Sequence, residues 1–159
     1  MRTKYNPANM EIMEWQRDNY IISTDVSKIN LPIVHHYLSN DSYWARQIPL
    51  GVVMRSIENS LCFGVYDGQA QIGFARIISD FATFAYLADV FILPEYRGRG
   101  LSKWLMDVII SYPQLQGLRR FLLATRDAHT LYSQFGFELY PQPQNLMALN
   151  IPDPYRSKK

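Results

Sequence analysis

Apolar side chains recur along the chain at two spacings, and the spacings divide it into elements. Continuous or alternating β-branched and aromatic runs predict strands over Tyr20–Thr24, Ser60–Tyr66, Gln69–Ile78, Thr83–Leu93 and Leu118–Thr125. A stripe of Ile29, Ile33, Val34 and Tyr37 predicts a helix over Ile29–Leu38, with Ser27 or Asn30 as its cap and Pro32 in its first turn. Ser42–Gln47 and Leu50–Ile57 read as a second helical region broken at Pro49. Leu101, Trp104, Leu105 and Val108 share one face of a helix over Leu101–Ser111 that Tyr112-Pro113 stops. A short helix, Ala128–Phe135, follows, capped by Asp127 or Thr125 and ended by Gly136.

The turns between these elements set the topology. Asp67-Gly68 is the strongest hairpin signal in the chain, and Ser79-Asp80 makes a second turn, so Ser60–Leu93 reads as an antiparallel meander. Leu118–Thr125 is reached through a crossover helix and is therefore expected to run parallel to its neighbour. Phe137–Tyr140 and Asn145–Asn150 are expected to close the sheet as an antiparallel pair around Pro141–Pro143. Met1–Asn19 reads as irregular or a short helix, and Ile151–Lys159 as a mobile basic tail. The fold class is α/β (α+β): one domain over 1–159, core about 20–150, with a mostly antiparallel sheet of six or seven strands flanked by helices.

Composition narrows the function classes. The chain has 159 residues, 48% of them apolar or aromatic, enough for one compact core, and a net charge of only +2. Its basic residues are scattered apart from Arg119-Arg120 and the tail, which argues for an ordinary solvated surface and against nucleic acid. Cys62 is the single cysteine, so no internal disulfide forms; within a strand it reads as a buried structural thiol. No apolar run approaches the ~20 residues that span a bilayer, and MRTKYNPANM lacks the apolar core of a signal peptide. The expectation is a soluble cytoplasmic protein without a membrane partner.

The stretch Tyr86–Met106 carries the chemistry. It runs from a strand through Pro94 and Arg97-Gly98-Arg99-Gly100 into a helix. A strand, a glycine-bearing turn and a helix start aim backbone N–H groups and a positive dipole end at one spot, which suits a phosphate. Arg97, Arg99 and Lys103 add positive charge. The dinucleotide pattern fails because Lys103 stands where its third glycine would be, and the nucleotide-triphosphate loop pattern is absent.

Arg97-Gly98-Arg99-Gly100-Leu101-Ser102 after such a strand resembles the acyl-CoA pyrophosphate loop of the GNAT superfamily of N-acetyltransferases. That pattern is Gln or Arg, two residues, Gly, one residue, then Gly or Ala. Ser102 at the last place is a small departure. A second block, Ala128 to Phe137, matches the family's Ala-x-x-x-Tyr-x-x-x-Gly-Phe. The resemblance covers roughly Leu61 to Leu149. It implies a GNAT-like fold, acetyl-CoA as acyl donor, and cofactor contacts from Val90, Phe91, Ile92, Arg97, Gly98, Arg99, Gly100, Leu101, Ser102 and Lys103. It also implies a strand that splays at a bulge near Phe91, where a main-chain N–H holds the oxyanion and the backbone of Val90–Ile92 pairs with the pantetheine arm. Thr125 stands where many relatives have an asparagine touching that arm.

Acetyl transfer to an amine needs a route for the amine proton, an oxyanion donor and a proton source near the sulfur. Tyr132 matches the family's tyrosine beside the CoA sulfur; a phenol of pKa ~10 stays protonated at neutral pH. The competing reading packs it into the core beside Phe135. Asp89, the only charged residue of its strand, is the candidate base or amine-orienting group; amid apolar neighbours a carboxylate is expected to gain a raised pKa. A partnered structural carboxylate fits Asp89 equally well. His129 reads as a surface or capping residue, and no histidine has metal-ligand spacing. His35, His36, Tyr37, Tyr43 and Trp44 are candidates for the acceptor pocket. The aromatic residues of this half, with Trp15 and Tyr20, suit an apolar amine, a plain core or a homodimer surface.

Two function classes follow: an N-acetyltransferase acting directly on a small-molecule amine or an amino terminus, and an acyl-CoA-binding sensor or scaffold without turnover. A third, nucleic-acid binding through Arg97, Arg99, Arg119 and Arg120, ranks lowest.

Overall fold

The computed structural model describes residues 10–156 and contains one six-stranded sheet whose strands lie side by side in chain order. Strands β1 (Glu14–Arg17), β2 (Tyr20–Ser23), β3 (Leu61–Asp67), β4 (Ala70–Ser79) and β5 (Phe84–Ile92) form an antiparallel meander. Strand β6 (Arg120–Leu123) joins β5 in parallel. The helices are α1 (Leu31–His36), α2 (Leu50–Glu58), α3 (Leu101–Ile110) and α4 (His129–Ser133).

Both faces of the sheet are covered, which explains why β3 reads as a continuous apolar run rather than an alternating one. Phe63 and Val65 point to the layer built on Leu101, Leu105 and Ile109 of α3. Cys62 and Phe74 point to the layer built on Val34 of α1 and Val53 and Ile57 of α2. Burial pushes the Cys62 thiol up to about 12, so it is a small core side chain and not a nucleophile.

Local signals hold well through the centre of the chain. Asn30 caps α1, its side chain accepting from the Ile33 amide at 3.2 Å, and Pro32 sits in the first turn. The β3–β4 hairpin turns on Gly68 and Gln69, since Asp67 already pairs with Ala70. Gly68 supplies the positive φ, +57°, that such a turn requires. At the β4–β5 turn, the Thr83 hydroxyl donates to Asp80 Oδ2 and the amides of Thr83, Ala82 and Phe84 donate to Oδ1, which together hold the carboxyl well below the usual range.

Four expectations are corrected. The irregular N-terminal stretch contains β1, an edge strand with Trp15 as its one large apolar residue, turned into β2 by Asp18 at φ +53°. Ser42–Gln47 is not helical: the Ser42 hydroxyl donates to Leu38 O and accepts from the Ala45 amide, and Gln47 takes φ +62°. Phe137–Tyr140 and Asn145–Asn150 form no ladder; Pro141 and Pro143 remove two donors, and a single turn occupies Pro143–Asn145. Within the tail, Tyr155 is half-buried against the α1–α2 layer instead of being free. Residues 1–9 and 157–159 lie outside the described chain.

Candidate active site

The site arises where two neighbouring strands part. β5 and β6 pair only from Phe84↔Arg120 to Leu87↔Leu123, yet β5 continues to Ile92. Beyond Leu87, the β6-facing edge of β5 therefore meets no strand among the described residues. A cleft of about 610 Å³ opens there, lined by Ala88, Asp89 and Val90 from β5 and by Leu123, Ala124 and Thr125 from the other side.

A bulge accompanies the parting. Phe74 pairs with Phe91 and Arg76 with Ala88, so two steps along β4 match three along β5. Asp89 sits in the extra position at φ +56°, a left-handed conformation costing roughly 1–2 kcal/mol for most residues and tolerated best by Gly, Asn and Asp. The bulge reverses which way the strand faces. Ala85 and Leu87 point into the α3 layer; without the bulge Phe91 would follow them, but Ile92 takes that layer and Phe91 turns to the α1–α2 layer. There Phe91 stacks on Tyr37 at 3.9 Å between ring centroids. The bulge expected near Phe91 thus lies at Asp89, two residues earlier.

The two Asp89 oxygens are both engaged. Arg76 Nε donates to Oδ2 at 2.8 Å, and Trp44 Nε1 donates to Oδ1 at 3.0 Å. Both side chains of the ion pair are largely buried, 15% exposed for Arg76 and 10% for Asp89. Asp89 lines the cleft as a clamped carboxylate, held from β4 and from the loop after α1.

Tyr132 stands on α4 and lines the same cleft. It is 9% exposed and packs edge-on against Phe137, with centroids 6.1 Å apart. Burial, helped by nearby Tyr43 and Asp127, pushes its phenol up to about 12. The α4 start is organised by Thr125, whose Oγ1 accepts from the Ala128 amide at 3.0 Å; His129 is exposed and does not line the cleft.

At the end of β5 the chain forms the glycine-bearing turn. Gly98 and Gly100 take φ +77° and +75°, and α3 begins at Leu101 with no side chain capping it. The first bond of the helix ladder comes from Trp104 N to Gly100 O. Among the described residues, the amides of 98–103 have no protein acceptor, the state in which a helix start receives an anion. The arginines are engaged. Arg97 donates to Ile92 O and to the Tyr37 hydroxyl, each at 3.0 Å, bracing the turn against β5 and the residue that follows α1. Arg99 donates to the Tyr20 hydroxyl and to Glu95 O. Lys103 is exposed in the first turn of α3. Sequence reasoning does not reach Arg17, whose guanidinium comes within 3.6 Å of the Cβ position at Gly100, because β1 has too little pattern to announce it.

One wall of the cleft comes from the N-terminal half. The Arg126 amide donates to the Tyr43 hydroxyl at 2.8 Å, and the Arg126 guanidinium lies 3.9 Å over the Tyr43 ring. Tyr43 meets Trp44 edge-on at 5.0 Å. Neither His35, which bonds Ile48 O, nor His36, beside Asn40, lines the cleft. Trp15 belongs to the core with Phe63 and Tyr112, and Tyr20 to the phosphate-type turn.

A sheet whose last two strands part, a bulge at the parting and a helix start beside it define an acyl-CoA-type transferase fold. The profile of the Acetyltransferase (GNAT) family matches residues 11–137, and the chain belongs to that family. It is 30% identical to a proposed acetyltransferase of Gibberella zeae, over 86% of this chain and 89% of that one. The crystal structure of a proposed GNAT acetyltransferase from Xanthomonas campestris pv. campestris superposes with a TM-score of 0.86 at 51% identity, covering 89% of this chain and 100% of that one. A Clostridium acetobutylicum protein solved with acetyl-CoA shares the fold, with a TM-score of 0.64 at 17% identity over 83% of this chain and 95% of that one. The protein is an acyltransferase. No helix among the described residues is long and apolar enough to cross a membrane.

Proposed function

We propose that this enzyme transfers an acetyl group from acetyl-CoA directly to the primary amine of a small molecule or an amino terminus. The observation that carries the reading is the common cleft: the free edge of β5 at Ala88–Val90 and Tyr132 line one cavity, with the unpartnered amides of 98–103 following from the end of the same strand. The diphosphate would dock on those amides, with Arg17 and Lys103 nearby. The pantetheine arm would add to β5 along Val90–Ile92 as a strand does.

The chemistry then falls to few groups. A neutral amine attacks the thioester carbonyl, forming the C–N bond, and a main-chain N–H at the bulge holds the oxyanion. The C–S bond breaks, the nitrogen loses a proton and the sulfur gains one. Tyr132 is the donor to the sulfur. Its phenol at about 12 lies above a free thiol at ~8.5, so handing over the proton unaided would be uphill by roughly 5 kcal/mol. Tyr132 therefore works as a hydrogen-bond donor to the developing thiolate, its proton passing on only as the new ammonium supplies another. Asp89, clamped by Arg76 and Trp44, orients the incoming amine and fixes the bulge rather than acting as a free base.

Tyr43, Trp44 and Arg126 form the acceptor side. Thiol release from acetyl-CoA, followed across a panel of amines, tests the reading: turnover with at least one primary amine is expected. Tight CoA binding with no release for any amine would leave the binding-module reading instead.

A further inference from the structure

Four charged side chains line the cleft, and two of them cancel each other. Arg76 and Asp89 are the buried ion pair, while Arg126 and Asp127 stand together in the loop between β6 and α4. Among the described residues the Arg126 guanidinium makes no ion pair and no hydrogen bond; its partner is the face of the Tyr43 ring, 3.9 Å away. An arginine lying over a ring keeps its N–H groups directed outward around its rim, where two of them match the two oxygens of a carboxylate.

The same wall supplies a second donor. The Tyr43 hydroxyl accepts from the Arg126 amide at 2.8 Å, and its own proton goes to no acceptor among the described residues. That bond and the ring stack fix the guanidinium and the hydroxyl against each other, so both donors are in place before a ligand arrives. The negative side of the cleft lies by Tyr132. Asp127 is close enough to join burial and Tyr43 in pushing that phenol up to about 12, and Asp89 faces the cleft from the bulge. Since Tyr43 also acts on Tyr132, one small molecule can reach from Arg126 to the Tyr132 hydroxyl.

We infer that the acceptor is a monoamine bearing one carboxylate on an apolar or aromatic body, its carboxylate held by the Arg126 guanidinium and the Tyr43 hydroxyl and its amine directed to Asp89. The inference rests on the acetyl-transfer reading above and narrows its acceptor. Charge decides against other amines. A polyamine brings several cations to a cleft whose four charges already sum to zero. A phosphate monoester brings a charge of about −1.5 to −2 to a single free guanidinium with Asp127 beside it in the chain. Ile48, Val52 and Tyr155 line the rest of the wall and suit the apolar body.

Initial rates of thiol release from saturating acetyl-CoA test the inference on two matched pairs, phenylalanine against phenethylamine and para-(aminomethyl)benzoate against benzylamine, with spermidine and phosphoethanolamine alongside. In at least one pair the carboxylate should raise kcat/KM by about tenfold or more, through KM, as a charged hydrogen bond does. Arg126→Gln should shrink the ratio within that pair to about threefold or less, and Arg126→Lys, which keeps the charge without the fork, should restore part of it. Neutral amines that match their acids in both pairs overturn the inference and leave acetyl transfer standing. Spermidine or phosphoethanolamine outranking all four overturns it as well, as does a ratio that Arg126→Gln leaves intact. Release with none of the amines, while CoA still binds, sinks the acetyl-transfer reading itself and the inference with it.

Discussion

Arg76 Nε and Asp89 Oδ2 meet at 2.8 Å across the β4–β5 pair, and this contact holds a left-handed residue in the middle of a strand. The pair links the opening of the sheet to its chemistry. It fixes the bulge that turns Phe91 away from the α3 layer, and it presents one face of the carboxylate to the cleft.

The bulge makes the usual order of strand substitutions reverse at this position. Asp89→Ala and Asp89→Gly each leave the Arg76 charge without its carboxylate, with only the Ser60 hydroxyl still accepting from it, and should lose about 3–5 kcal/mol of stability. Glycine accepts φ +56° freely, so Asp89→Gly should be the more stable of the two by roughly 1 kcal/mol, measured by urea unfolding. Alanine at least as stable as glycine would mean that the left-handed turn is not retained. Asp89→Asn separates orientation from proton transfer. An orienting group should leave kcat within about tenfold, whereas loss of a base costs about 10²–10⁴-fold.

Tyr132→Phe keeps the ring packed on Phe137 and removes only the hydroxyl. Turnover is expected to fall by about 10²-fold with little change in the KM for acetyl-CoA. Steady-state kinetics with a slow-reacting amine, for which chemistry limits the rate, give the cleanest reading. An unaltered kcat would remove Tyr132 from the reaction.

Much of this arrangement is legible in the sequence. Gly98, Gly100 and the apolar face of Leu101, Leu105 and Val108 are local signals, and local signals survive folding. Tyr132 was found because it stands at a fixed place in a short block. The contacts that shape the cleft are not local. Arg76 lies 13 residues before Asp89, and Tyr43 reaches Arg126 across 83 residues. Nothing in either neighbourhood announces the other. The bulge left one trace in the sequence: Asp89, the one acid of the strand, after which simple alternation assigns Phe91 and Ile92 to the wrong faces. The strand β1 was missed because an edge strand with a single large apolar side chain has almost no pattern to read.

Tyr43 closes the cleft through its hydroxyl, which accepts from the Arg126 amide at 2.8 Å. Tyr43→Phe should therefore raise the KM for the amine by about 3–10-fold, the worth of one hydrogen bond, and leave the affinity for CoA unchanged. Calorimetric titration of CoA beside amine kinetics checks both halves. A loss confined to CoA affinity would put Tyr43 on the donor side.

Alkaline stability follows from Cys62. Its folded pKa of about 12 lies above the unfolded thiol at 9.0, so the unfolded state releases its proton first and stability falls as pH rises. The contribution is fully present below pH 9.0 and fades through about 12. Around one pH unit above the unfolded value the wild type should have lost about 1 kcal/mol, while Cys62→Ala, less stable at neutral pH, should show a flatter dependence there. Urea unfolding at several pH values reads the slopes; identical slopes would contradict the burial argument.

The central claim is that the donor lies along the free edge of β5 with its diphosphate on the start of α3. A crystal structure with acetyl-CoA bound tests this most directly. The account predicts diphosphate oxygens about 3 Å from amides between residues 98 and 103, and the thioester sulfur within hydrogen-bond reach of the Tyr132 hydroxyl. A nucleotide bound elsewhere, or a sulfur lying away from Tyr132, would contradict it.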